Sequence, residues 1–234
     1  MHLTLASDAL DPDFAPEPMT TLRQRSKYQA IRSAVRTSLA ILRRRRSQLS
    51  PQDAELVDRA VQSERAILDR LKEITREKID CQRIRVHGDY HLGQVLYTGN
   101  DVYIIDFEGE PQRPLSQRRL RRLGLRDVAG MIRSYHYAIV MALHQVAESG
   151  IDEDTMHLLD GWANDLHTWL SAAFLRGYLE TVGESPIVPS DPNHLRLLLD
   201  AHVVEKAAYE LEYEVNNRPG WVEIPLHGIL NTLT

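Results

Sequence analysis

The chain has 234 residues, 43% of them hydrophobic and 26% charged, which excludes disordered, collagen-like and membrane-embedded classes and fits one compact soluble unit. Twenty-eight basic against 33 acidic side chains leave a net charge of −5, so no positive field draws the protein to nucleic acid or anionic lipid. Cys81 is the single cysteine; an intrachain disulfide and a multi-cysteine zinc site are excluded, and a buried, inert thiol is expected. No run of about 18 apolar residues occurs, and Met1 to Leu5 does not read as a secretory leader, so a cytoplasmic location without membrane contact is expected.

In chain order, Pro12, Pro16 and Pro18 fix φ and remove donors, predicting an extended linker over 1–19 in which Met1 to Ala6 is too short for a stable helix. The helical unit is expected to occupy 20–234. From Thr20 to Gln48, Leu22, Ile31, Val35, Leu39 and Leu42 recur at helical intervals, and Arg43 to Arg46 complement the helix dipole as a solvated run. Ser50-Pro51-Gln52-Asp53 offers a cap, a first-turn proline and a first-turn acid for a second helix, expected to reach about Lys78.

The period then changes. Arg83-Ile84-Arg85-Val86 alternates, and Gln94 to Tyr97 and Asp101 to Ile105 read as strands paired through the turn residues Thr98-Gly99-Asn100. After a polar stretch at 111–124, Val128, Ile132, Tyr135, Ile139, Leu143 and Val146 step along a long helix. A second helix is marked by Leu159, Trp162, Leu166, Trp169, Ala173 and Phe174, and a third by Leu195, Leu199, Val203 and Leu211. Asn216 to Gly220 should end the last helix, with an irregular tail beyond it. The prediction is a mostly helical α+β domain with a small central β-hairpin.

The chemistry concentrates at 87–94 and 105–111, loops beside the hairpin. Asp89 is followed five residues later by Gln94, and Asp106 ends the next strand 17 residues after Asp89. A kinase needs an Asp to take the acceptor proton, then a side-chain oxygen and a second Asp to hold magnesium against phosphates. The catalytic-loop order His-x-Asp, an amide five residues on and a later Asp-Phe becomes His87-x-Asp89, Gln94 and Asp106-Phe107. His87 reads as a structural buttress of the loop. A metal-dependent hydrolase using His87, Asp89 and His91 as ligands is the rival from the same residues. On the third helix Lys206, Tyr209 and Tyr213 share one face, offering a donor and flat rings for a sugar, with core packing as the competing role.

His87-Gly-Asp-Tyr-His-Leu-Gly-Gln-Val-Leu96, Ile105-Asp-Phe-Glu-Gly-Glu-Pro111 and Leu125-Arg-Asp-Val-Ala-Gly-Met-Ile-Arg-Ser-Tyr135 resemble the maltokinases, aminoglycoside-phosphotransferase-like members of the protein-kinase fold often fused to trehalose synthase. Phe14-Ala-Pro-Glu-Pro18 and Glu205 to Trp221 extend the resemblance over almost the whole chain. It implies ATP and magnesium as cofactors and transfer of the γ-phosphoryl group to maltose or a related disaccharide, giving maltose 1-phosphate for α-glucan and glycogen synthesis. By the same resemblance Asp89 is the catalytic base, Gln94, Asp106 and Glu108 serve the metal, and His91, Lys206, Tyr209 and Tyr213 contact the acceptor. No G-x-G-x-x-G occurs among the 12 glycines, and the lysines sit in helical patterns. The resemblance is therefore to the C-terminal lobe alone, with the N-lobe expected to be missing, poor activity without it, and a trehalose synthase domain or separate N-lobe as expected partners. The alternative is a non-catalytic sugar-binding or partner-docking remnant.

Overall fold

The computed structural model describes residues 1–233. The first residues form a one-turn helix, α1 (His2–Leu5), where the sequence predicts none. Tertiary contacts hold the turn: the His2 ring meets Tyr178 Oη at 3.0 Å through Nδ1 and the Asp127 carboxylate at 2.9 Å through Nε2. The linker is extended only in part. Its β1 (Glu17–Pro18) pairs antiparallel with β2 (Gln82–Arg83), and the Glu17 carboxylate bridges Arg83 and Arg121.

Helix α2 (Thr21–Arg45) starts as expected, with the Thr20 hydroxyl accepting the Arg23 N–H. Ile31, Val35, Leu39 and Leu42 are fully buried, whereas Leu22 is 73% exposed. Nine residues at about 100° each set Leu22 half a turn away from Ile31, so its apolar spacing belongs to the outer face. The second predicted helix is two: α3 (Pro51–Gln62), capped by Ser50, and α4 (Glu64–Lys72). The chain stops being regularly helical before Lys78 because buried Gln24 captures the connecting backbone. Its side-chain amide donates to Ile74 O and Glu77 O and accepts from Ile79 N–H.

The central hairpin forms as predicted: β3 (Val95–Tyr97) pairs with β4 (Val102–Ile104), Val95 opposite Ile104, and Gly99 supplies a φ of +92° in the turn. The alternating 83–86 stretch gives less. After Arg83 its sheet pairing is the single bridge Ile84 to Arg122, and short α5 (Leu115–Arg118) lies within the polar stretch. Three long helices follow: α6 (Leu125–Glu148), α7 (Glu153–Val182) and α8 (Pro192–Asn217), the last capped by Asp191. Beyond Pro219-Gly220 the tail refolds as α9 (Glu223–Leu230), contrary to the irregular end expected. Val222, Ile224, Leu226 and Ile229 are fully buried; the proline and glycine end α8 without ending the packing.

Core side chains come from α2, α3, α4, α6, α8 and α9. Ser38 of α2 donates its hydroxyl to Ala208 O of α8 at 2.8 Å. Helix α7 packs on α6 but leaves Trp162 and Trp169 of its predicted apolar series mostly exposed. Cys81 is buried, and burial pushes its thiol up to about 12, as an inert thiol requires. No helix of the described residues is long and apolar enough to cross a membrane.

Candidate active site between the hairpin and helix α8

The 87–94 loop is fixed from beneath by one carboxylate. Asp127 of α6, 1% exposed, accepts the N–H of His87 at 2.8 Å and that of Gly88 at 2.9 Å. Gly88 has a φ of +88°, and a Cβ there would stand 3.3 Å from the Gly109 Cα. The two loops therefore cross where only glycines fit. The buried His87 ring ties them together: Nε2 lies 2.7 Å from Ile105 O, and Nδ1 accepts the Asp89 N–H at 3.4 Å. Both ring nitrogens face backbone, leaving no lone pair for a metal ion. Among the described residues no group of three His, Cys, Asp or Glu side chains gathers as a metal site. The hydrolase reading loses its ligand set.

Gln94 and Asp106 meet at the hairpin base, where Gln94 Nε2 donates to Asp106 Oδ2 at 3.1 Å. Asp106 has a φ of 62° and is the one non-glycine residue with positive φ among the described residues. Asp tolerates this conformation better than most residues, and such strain is typical of functional loops. Glu108 is exposed and reaches toward Arg118 at 3.9 Å.

Asp89 faces α8. Lys206 Nζ lies 3.5 Å from Asp89 Oδ1 and 3.8 Å from Glu110 Oε2, so one ammonium is shared by two carboxylates. His91 Nε2 stands 3.9 Å from Asp89 Oδ2, while its Nδ1 accepts the Gly93 N–H. The Tyr209 hydroxyl donates to Gln112 Oε1 at 2.8 Å; burial, with the nearby Glu110 carboxylate, pushes that phenol up to about 12 and keeps it a donor. These side chains line an open cleft of about 610 Å³ that continues past Tyr213 to Tyr137, Glu210, Glu214 and Arg218. The far wall is braced by ion pairs: buried Arg133 holds Glu210 at 2.8 Å, and Arg218 holds Glu214 at 2.7 Å.

Behind Asp89 lies a cavity of about 20 Å³, the size of one water. It is lined by Asp89, Lys206, His202 and Glu205 among others. Lys27 of α2 reaches Glu205 at 2.5 Å and His202 Nδ1 at 2.9 Å. Burial opposes the Glu205 charge, but Lys27, the His202 bond and Arg126 outweigh it and hold its carboxyl well below the usual range. Burial, then the Lys27 charge, lowers His202 to about 4.

The structure thus brings Asp89, His91, Lys206 and Tyr209 to one cleft with Tyr213 at its wall, sets Gln94 against Asp106, and leaves Glu108 at the surface. Sequence reasoning assigned no role to Asp127, Glu110, Gln112, Gly130 or the Lys27–His202–Glu205 cluster. Asp127 and Gly130 lie inside the quoted 125–135 motif, which was the available signal; a Cβ on Gly130 would meet Tyr90 O at 2.6 Å.

Residues 4–109 match the model of the phosphotransferase enzyme family. Glucosamine kinase of Streptacidiphilus jiangxiensis is 28% identical over 145 residues, 61% of this chain and 30% of that protein. Glucosamine kinase of Mycolicibacterium smegmatis is 28% identical over 142 residues, 59% of this chain and 32% of that one. Solved glucosamine kinase structures share the fold: one has a TM-score of 0.73 at 22% identity, covering 100% of this chain and 50% of that chain. Another, in complex with glucosamine, ADP and inorganic phosphate, also has a TM-score of 0.73 and covers 99% of this chain and 51% of its own. The chain spans about half the length of these solved structures, and its matched segment covers about a third of the curated relatives. The chain is thus similar to the phosphotransferase enzyme family over residues 4–109 and shares a kinase-like α+β fold with the glucosamine kinases; maltokinase in particular is not supported by these likenesses.

Proposed function

We propose that this chain supplies the acceptor and metal half of an ATP-dependent sugar kinase, with Asp89 as the catalytic base. The observation that carries the reading is the Asp89 carboxylate in the cleft wall, steadied by Lys206 at 3.5 Å, on a loop pinned by Asp127. A base held this way can orient an acceptor hydroxyl and take its proton as its oxygen bonds the γ-phosphorus of ATP and the bond to the departing ADP breaks. Gln94 and Asp106 fit magnesium: the Asp106 carboxylate lies beside the Gln94 amide, whose nitrogen now donates to it and whose oxygen would turn to a bound ion, and this ion is commonly bound by one or two protein groups with substrate phosphates and water completing its shell. Bound with nucleotide, magnesium offsets phosphate charge. Glu108 would assist the waters of that ion.

An amino sugar fits as acceptor. Asp89 and Glu110 share Lys206, with Arg113 lining the same pocket, and a sugar amine would add a further cation to the two carboxylates. Curated relatives named as glucosamine kinases are consistent with this. His91 and Tyr209 would bind hydroxyls, and Tyr213 would pack on the ring. A second reading, maltose phosphorylation to maltose 1-phosphate beside a trehalose synthase, is favoured by the half-exposed Tyr213 ring beside Tyr209, a platform suited to a neutral disaccharide.

Saturation-transfer NMR with glucosamine, N-acetylglucosamine and maltose tests the proposal. Transfer to glucosamine that is lost in Asp89→Ala and Glu110→Gln supports the amino-sugar reading. Transfer to maltose alone selects the second reading. No transfer from any sugar contradicts an acceptor role for this cleft.

A further inference from the structure

Helix α7 carries an apolar stripe on its outer face that the sugar-kinase reading does not use. Trp162 is 68% exposed, Trp169 75%, Leu158 64% and Leu166 49%. At 100° per residue these positions and Ala173 fall within one quarter of the helix surface, beside the face that packs on α6. Together with Leu170 they present roughly 600 Å² of apolar area. That reaches the top of the range for the largest patch on a monomer and approaches the ~800 Å² per partner of a standard interface. An apolar groove between α6 and α7, of about 470 Å³ and lined by Tyr135, Ile139 and Leu143, opens beside the stripe and shares Trp162 and Leu166 with it. Projection and hollow on one continuous surface are what an isologous contact requires.

We infer that α7 pairs antiparallel with α7 of a second copy of this chain, about a two-fold axis passing near residues 165 and 166. The stripe is self-complementary in that register. Trp162 of one copy faces Trp169 of the other, and Leu158 faces Ala173. Arg176 comes opposite Thr155, one residue from Asp154, so the cation near one end of the helix meets acid near the other end of its partner. Arg176 is free to make that contact, since its exposed pairing with Glu180 at 3.7 Å is worth little. Asp154 and Asp165 stand at the edge of the stripe, which disfavours an anionic lipid surface as the occupant. Trp162 and Trp169 lie about 12–22 Å along the helix from Gly177, which lines a separate cleft with Met1 and Ile104 at the other end of α7. The pairing reaches the edge of that cleft at Ala173.

The test is sedimentation equilibrium of the chain over a dilution series, with Trp162→Glu and Trp169→Glu made separately. Because both indoles are exposed, the variants should keep the wild-type circular dichroism. The wild type should dimerise, and each variant should raise the dissociation constant by about thirtyfold or more, the scale of a central tryptophan anchor. Arg176→Glu should weaken the dimer, and adding Asp154→Arg in the same chain should restore part of the loss. A wild type that stays monomeric throughout, or a dimer that both tryptophan variants retain, overturns the inference. So does flotation of the monomer with lipid vesicles through this face, or coverage of the stripe by further residues of a longer chain.

Discussion

The Asp127 carboxylate of α6 accepts the His87 N–H at 2.8 Å and thereby sets the height of the loop that carries Asp89. Its other contacts, Gly88 N–H at 2.9 Å and His2 Nε2 at 2.9 Å, use both oxygens, so the position calls for an acceptor-only group. Asp127→Asn replaces one acceptor with a donor aimed at donors. The expected cost is about 2–3 kcal/mol, a fall in Tm of roughly 5–10 °C for a domain of this size. Calorimetry measures it, and a change under one degree would show that the loop does not depend on this residue.

Gly130 provides a second check on the same support. A methyl at this position would meet the backbone oxygen of Tyr90 at 2.6 Å, which cannot give without moving the 87–94 loop. Gly130→Ala should destabilise by about 1–3 kcal/mol and impair acceptor binding beyond what the stability loss explains. Parallel thermal melts and sugar titrations separate the two effects; unchanged sugar affinity would place the loop shift elsewhere.

Two buried imidazoles make stability depend on pH. Burial, then the neighbouring Arg133, lowers His136 to about 3, and burial with the Lys27 charge lowers His202 to about 4. Between these values and the unfolded value near 6.5 the unfolded chain binds more protons than the native one, so stability falls as pH drops. The contribution is full above pH ~6.5 and is lost on acidification, by at most about 1.4 kcal/mol per pH unit for each group. His136 keeps some solvent contact, and its share is smaller. Urea unfolding from pH 7 to pH 4 should show the decline, and His202→Gln should flatten it; an unchanged slope in that variant would remove His202 from the account.

What could be read in the sequence was whatever is encoded locally. Gly99 between an apolar run and a β-branched one announces the hairpin, Ser50-Pro51 announces α3, and Asp89, Gln94 and Asp106 form a pattern short enough to recognise. What could not be read depends on contacts distant in sequence. Helix α1 exists because His2 reaches Asp127 and Tyr178, more than a hundred residues away. The end of α4 is set by Gln24, and α9 continues after a proline and glycine that would ordinarily signal an exit. Within the site, Asp89 was legible but its supports were not, since Asp127 and Lys206 lie 38 and 117 residues further along the chain. A helical interval alone also leaves burial open: it groups exposed Leu22 with buried Ile31, and it runs Trp162 and Trp169 in one series with Leu159 and Phe174 although they face outward.

The most direct measurement is a magnesium titration of sugar phosphorylation by Asp89→Asn and Asp106→Asn, made in a chain extended to the length of the solved kinases it resembles. Asp89→Asn keeps the shape of the side chain but removes the charge that takes the acceptor proton. Its kcat should fall by about 10²–10⁴ with nucleotide affinity nearly unchanged and no recovery at high magnesium. Asp106→Asn weakens the metal site, so ATP binding and turnover should both fall and added magnesium should restore part of each by mass action. Magnesium rescue of Asp89→Asn with none for Asp106→Asn, or full activity in Asp89→Asn, would contradict the assignment of base and metal ligand.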